Sequence, residues 1–149
     1  MAWKRNQILT RLAEVLTAVP AAEFIRNKAL TSDKRPAIQQ LDSDEVADRA
    51  AFQRGRPNNA PNFVVMSPEI YVILKNVKPT NPTVGEDLNT LCAAVIKAVL
   101  TDVQLNELVG SNGEIRYDGL TTDLGEERTI EGKARVGISF VYVLRPDEL

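Results

Sequence analysis

The sequence predicts an α+β fold, with a mainly antiparallel sheet of about four to five strands and two amphipathic helices packed on one of its faces. The predicted element order is α-β-β-β-α-β-β. Apolar residues recur at helical spacing from Ile8 to Val19 and again from Leu88 to Val103. The last stretch, Lys133 to Arg145, alternates at period two. The 149 residues are expected to form a single domain.

The two helices have clear boundary signals. The first is predicted to begin near Trp3 and to end before Pro20, which cannot continue a helix. The second begins at a capping box, Thr83-Val-Gly-Glu86, and its apolar face is expected to run on to Val103. A short helical turn is predicted after it, over Leu105 to Val109.

Strand patterns lie between and after the helices. Ala22 to Leu30 and Ala37 to Leu41 are predicted to form a hairpin, because a polar turn separates them. Phe63 to Val65 resumes the strand pattern. Glu69 to Lys75 is apolar on both faces, as in a central strand. Glu114 to Gly119 is the next predicted strand, and a polar connection, Thr121 to Gly132, leads to the last one.

Residues 42–62 lack apolar periodicity and are predicted to be a flexible arm. A stretch of about 20 residues without a core pattern in a compact domain is functional, flexible or disordered. Two interpretations stay open: a solvated loop, or an arm that docks on a partner. In the second, acidic and then basic residues bridge adjacent subunits: Asp44, Glu45, Arg49, Arg54 and Arg56.

The final strand predicts both a core and an interface. One of its rows is apolar throughout, from Ala134 to Leu144. The other row is first charged and then apolar, which suggests that a neighbouring subunit packs on part of it. The predicted interface residues in this strand are Lys133, Arg135, Val141 and Val143. Tyr71 and Ile73, on the sheet face opposite the helices, are predicted to lie partly at the same interface.

No motif for catalysis, metal binding or cofactor binding is recognisable. The sequence has no histidine, and its single cysteine, Cys92, lies in an apolar helical row and is expected to be buried. Glu126 and Glu127 stand in a glycine-containing polar stretch typical of a turn. We therefore expect no enzyme, no cofactor and no metal. A net charge of −2 argues against a general nucleic-acid binder. No stretch approaches the length of a signal peptide core or a membrane span.

Four segments together resemble the phage tail-terminator family, the proteins like minor tail protein U. In chain order they are Arg35 to Glu45, Ser67 to Val72, Ile115 to Gly119 and Val136 to Tyr142. The resemblance also includes the leading amphipathic helix and the long helix in the middle, so it covers almost the whole chain.

The resemblance implies a homo-oligomeric ring, expected to be a hexamer, that caps the head-proximal end of the tail tube in the virion. Such a ring stops polymerisation of the tube protein and binds the head-completion or connector protein, while DNA passes through its lumen without specific binding. Assembly in the host cytoplasm, no membrane contact, and an arm that becomes ordered in the ring are expected as well. The alternatives are another phage head–tail connector or tail-completion protein, or a non-phage oligomeric α+β binding module.

Overall fold

The computed structural model describes residues 3–20, 22–28, 36–47, 61–75, 84–124 and 131–149. Three α-helices lie in this part of the chain: α1 (Lys4–Thr17), α2 (Val84–Leu100) and α3 (Val103–Val109). It also contains seven strands, which are β1 (Glu23–Arg26), β2 (Ala37–Leu41), β3 (Glu45–Ala47), β4 (Asn62–Met66), β5 (Glu69–Lys75), β6 (Glu114–Leu124) and β7 (Glu131–Leu144). A short 3₁₀ helix, Pro146–Glu148, follows β7. The mixed α+β class is confirmed, but the predicted strand count and order differ from these.

The seven strands form one mixed sheet. Five of its strand pairings are antiparallel and one, between β1 and β2, is parallel. The predicted hairpin is therefore wrong. Glu23 pairs with Ala37 and Arg26 with Gln40, so β1 and β2 run in the same direction. A hydrogen bond from the Glu23 N–H to the Pro36 carbonyl (2.8 Å) extends this parallel ladder.

β4 and β5 lie end to end along one side of β7. Met66 pairs with Phe140 and Glu69 with Gly137, so one register continues through the break at Ser67 and Pro68. β2 and β3 follow one another in the same way along the far side of β5 and β4. β6 occupies the other side of β7, and β1 lies outside β2. Short breaks thus divide long paths into separate strands, which explains the higher count.

The helices cover one face of the sheet and enclose the core. All six apolar residues predicted for the first helix face are buried, and so is the predicted apolar row of β7 from Ala134 to Tyr142. Cys92 is buried among them, and burial raises the pKa of its thiol to about 11. Val103 is 69 % exposed, because α2 ends at Leu100 and α3 begins in a new direction. The apolar face of α2 therefore does not extend to Val103.

Two further boundaries differ from the predictions. Glu45–Ala47 pairs with β4, and Arg26 holds Asp42 through an ion pair of 2.8 Å. Residues 45–47 of the predicted arm are therefore part of the sheet, and residues 42–44 connect them to β2, whereas residues 48–60 of the arm lie outside the described residues. β6 extends to Leu124, so the first residues of the predicted polar connection are strand.

Within the described residues, no single helix is long and apolar enough to cross a membrane. The stretches Gly85–Leu100 and Val103–Val109 reach that length only together, across a bend of 53°.

Candidate interface on the open face of the sheet

The sheet face opposite the helices, called the open face here, carries the second row of β7. Lys133 and Arg135 are exposed, whereas Ser139 and Val141 are buried and Val143 is half-buried. The exposure of the row therefore falls midway along it, and the single chain already covers Ser139 and Val141. Side chains alternate across a strand, so the row does not join the helix-covered core, and its exposed members are available to other contacts.

An apolar patch lies at one end of the open face. Strand register brings Val46, Val65 and Val141 side by side and places Phe63 beside Val143. These five residues define the patch. Val46 is 61 % exposed and Phe63 is 40 % exposed. Contiguous exposed apolar side chains typically mark a surface that another protein covers.

The opposite end of the open face is charged. Arg135 lies 3.6 Å from the Glu69 carboxylate, and the Lys133 ammonium lies 4.6 Å from the centre of the Tyr71 ring. Both cations thus contact the neighbouring strand β5 while they remain exposed to solvent. The two ends of one face therefore offer different surfaces, one apolar and one charged.

A chain of hydrogen bonds crosses the middle of the open face. The Ser67 and Ser139 hydroxyl oxygens are 2.9 Å apart, and the Ser139 hydroxyl donates to the Asp118 carboxylate. These hydrogen bonds join β6 to β7, and they connect β7 to Ser67 in the break between β4 and β5.

Two glycines make a hollow beside this chain. Gly119 pairs with Gly137 at a bulge in β6, and Gly119 has a φ of +127°. A Cβ added to Gly137 would lie 3.1 Å from the Gly119 carbonyl oxygen, which is tighter than ordinary packing. The resulting cavity of about 450 Å³ is also lined by Ser67, Asp118 and Arg135. It is open, and polar side chains line it beside the buried Ile138 and Pro68, whereas small-molecule sites are mostly apolar and bury most of their ligand.

The predicted interface residues do not all lie on one surface. Val143, Lys133, Arg135 and half-buried Tyr71 lie on the open face with surface left to cover. Ile73 and Val141 lie on the same face but are only 5 % and 8 % exposed, so a partner could cover little more of either. Asp44 is exposed just before β3. Arg49, Arg54 and Arg56 lie outside the described residues.

Glu45 faces the helix side of the sheet, not the open face. Its Oε1 atom is buried and accepts no hydrogen bond from the described residues. Burial raises the pKa of this carboxyl group, and the nearby charge of Arg5 opposes the change. Arg5 itself donates to the Ser43 carbonyl and lies 5.8 Å from the centre of the Trp3 ring. The start of α1 is therefore attached next to β3.

The extension of β6 beyond Gly119 is the feature that the sequence prediction missed. Ile115 and Tyr117 share one face before the bulge, and Leu120 and Thr122 continue that face after it. The extra residue at the bulge, Asp118, shifts the alternation of apolar and polar residues by one position. This shift is why Thr121 to Leu124 resembled part of a polar connection and not a strand. A search for two alternating runs joined at Asp118 and Gly119 would have found the longer strand.

No group of three or more Cys, Asp or Glu side chains suited to a metal ion occurs in the described ranges. No protein-family model matches this chain, and no curated protein matches it.

Proposed function

We propose that this protein is a structural virion protein that forms a ring, hexameric in our proposal, at the head-proximal end of a phage tail tube. The ring ends polymerisation of the tube protein and provides the surface to which the head-completion protein binds. The observation that carries the proposal is the division of the open face into an apolar end and a charged end. A protein that joins two different partners needs two different surfaces.

The placement of the resembling segments supports the same proposal. The described parts of these segments fall largely in four strands that follow one another across the sheet, β2, β5, β7 and β6. They form one structural unit, as expected if the likeness to tail terminators reflects a common fold and not isolated strand patterns.

The two ends of the open face have separate roles in this proposal. Subunits join side by side, so the strands run from one rim of the ring to the other. The apolar patch then lies near one rim and binds the last ring of the tube protein. The charged end, with Lys133 and Arg135, lies near the other rim and meets the head-completion protein. The overall charge of −2 favours a lumen that DNA passes without being retained.

Electron microscopy together with a tube-assembly assay tests the proposal. The purified protein should appear as rings, and sedimentation should give the mass of six subunits. When it is added to polymerising tube protein from the same genome, growth should stop with one ring at one tube end. A protein that remains monomeric at high concentration, or that leaves tube growth unchanged, would contradict the proposal. Rings that bind only the connector protein would favour the head–tail connector alternative.

A further inference from the structure

Three strands of the sheet pair on one side only, among the strands that the structure describes. β6 pairs with β7 alone and forms one edge, whereas β1 pairs with β2 alone and β3 with β4 alone at the other edge. The unpaired N–H and C=O groups on the outer side of such a strand are a template for a strand from another chain. The sheet therefore has two different edges that can accept a partner.

The directions of these edges are complementary. β6 is antiparallel to β7, β7 to β5 and β5 to β2, whereas β2 is parallel to β1. β6 and β1 consequently run in opposite directions. If β6 of one copy lies beside β1 of another, with the helices of both copies on the same side, the new pair is antiparallel. Antiparallel pairing is slightly more stable per residue than parallel pairing.

The composition of the β6 edge also favours pairing. Exposed edge strands are commonly protected by lysine, proline or inward-pointing charge. Gly119 to Leu124 contains no lysine, arginine or proline, and its single charged residue is Asp123. Leu120 in this segment is 37 % exposed on the helix side of the sheet. β1 offers Phe24 on the same side, packed only in part against the core.

The register of the sheet shows which residues of β6 and β1 would lie opposite each other if two copies joined. Phe24 pairs with Ile38, and the same row continues through Val72 and Ala134 to Thr122. A neighbouring copy joined without stagger would place its Thr122 opposite Phe24 and its Thr121 opposite Ile25. Its Leu120 would then lie diagonally next to Phe24, within reach of a cross-strand apolar contact.

We propose that a second copy of this chain pairs its β6 with β1 of the first, antiparallel, through Gly119–Leu124 and Glu23–Arg26. This inference rests on the proposed function, because the contact would be the junction between adjacent subunits of the ring. The two edges differ, so each copy uses one edge for each neighbour. Such a head-to-tail contact produces a closed ring when the rotation per subunit divides a full turn.

Two single proline variants, Thr121→Pro and Thr122→Pro, test the pairing. Successive N–H groups of a strand point to opposite sides. Thr121→Pro therefore removes an N–H that faces β7, and Thr122→Pro removes an N–H that faces the neighbouring copy. The Thr122→Pro variant should fold, by circular dichroism, and should associate at least tenfold more weakly in sedimentation velocity. If both variants assemble like the original protein, the proposal is wrong.

A disulfide test avoids any question of folding. The double variant Ile25→Cys, Thr121→Cys should form disulfide-linked oligomers under mild oxidation, visible on a non-reducing gel. The matched control Asn89→Cys, Thr121→Cys uses an exposed position on α2 and should not. Rings in electron micrographs without a cross-link and without an effect of either proline would overturn this junction and leave the ring function standing. A protein that never associates would overturn both.

Discussion

Arg11 in α1 holds Asp102, the residue that precedes α3, through two hydrogen bonds. Its Nε atom lies 3.0 Å from Oδ2, and a terminal nitrogen lies 2.8 Å from Oδ1. Asp102 is also the N-cap of α3, because its carboxylate accepts the Leu105 N–H at 2.9 Å. One carboxylate therefore attaches two helices to each other and begins one of them. The Arg11 hydrogen bonds hold the pKa of Asp102 below its usual range, against the opposing effect of burial.

We predict that Asp102→Ala destabilises the protein more than Asp102→Asn does. Alanine removes both the cap and the ion pair, whereas asparagine keeps a cap acceptor. Loss of an N-cap typically costs about 1 kcal/mol, and loss of the charged hydrogen bonds adds to it. Urea unfolding at neutral pH measures the difference. Glu14→Ala, which removes the exposed partner of Arg11, is the control and should change little. Equal stability of the alanine and asparagine variants would show that the cap contributes nothing.

The advantage of the original protein over Asp102→Asn should depend on pH. A carboxyl group whose pKa is lowered by folding stabilises the folded state above its unfolded pKa, about 3.9 for aspartate. The contribution is lost as the pH falls through the lower folded pKa. The difference in unfolding free energy should therefore be constant near neutrality and should shrink in acid. A difference that grows as the pH falls would contradict the ion-pair assignment.

Ser139→Ala should destabilise the sheet by about 1 kcal/mol, because it leaves the Asp118 carboxylate and the Ser67 hydroxyl without their shared partner. Ser67→Ala should cost less, since Ser67 is exposed and Ser139 keeps its bond to Asp118. A double-mutant cycle on these two serines, measured by urea unfolding, should give a coupling of a few tenths of a kcal/mol or more. Additive effects would show that the two hydroxyls act independently.

Glu45→Gln should stabilise the protein near neutral pH, by up to about 1 kcal/mol. The Glu45 carboxylate is partly buried and one of its oxygens has no donor, and folding raises its pKa. A raised pKa means that ionisation costs stability as the pH rises through the folded value. The gain from glutamine should therefore be largest at neutral pH and should disappear in acid, as thermal unfolding at several pH values can show. Asp44→Asn, at the adjacent exposed residue, is the matched control.

Phe63→Asp should weaken binding of the tube protein at least tenfold and leave self-association unchanged, since it places a charge in the apolar patch and not at a sheet edge. Val103→Asp is the matched control, because Val103 is more exposed but lies on α3, away from the open face. Sedimentation and tube-capping assays measure the two activities separately. If both variants behave alike, the apolar patch is not the docking surface.

The helices and the last strand could be predicted because their signals are local. Ile8 to Val19 repeats with the helical period, and Val136 to Tyr142 alternates with the strand period, whatever the rest of the chain does. The candidate interface was predictable to the same extent. Lys133, Arg135 and Val143 share a row by alternation alone, and they do lie on the open face.

Burial of that row was not predictable from alternation. Ile73 and Val141 belong to the open face, yet neighbouring elements already cover them in a single chain. Phe63 and Val46 also lie in strands on the open face, yet they stay exposed and are the most exposed residues of the apolar patch. A period of two tells which face a residue occupies, but not which residues from distant parts of the chain stand beside it.

Local sequence patterns predict the α+β class, the faces of α1 and α2, and the two-sided character of β7, because each depends on side chains a few positions apart. Three other arrangements are visible only in the folded chain: β1 runs parallel to β2, β4 and β5 share one side of β7, and a bulge carries β6 on to Leu124. These arrangements depend on hydrogen bonds between residues far apart in the chain, and no local pattern indicates such partners. They place β6 at one edge of the described sheet and β1 and β3 at the other.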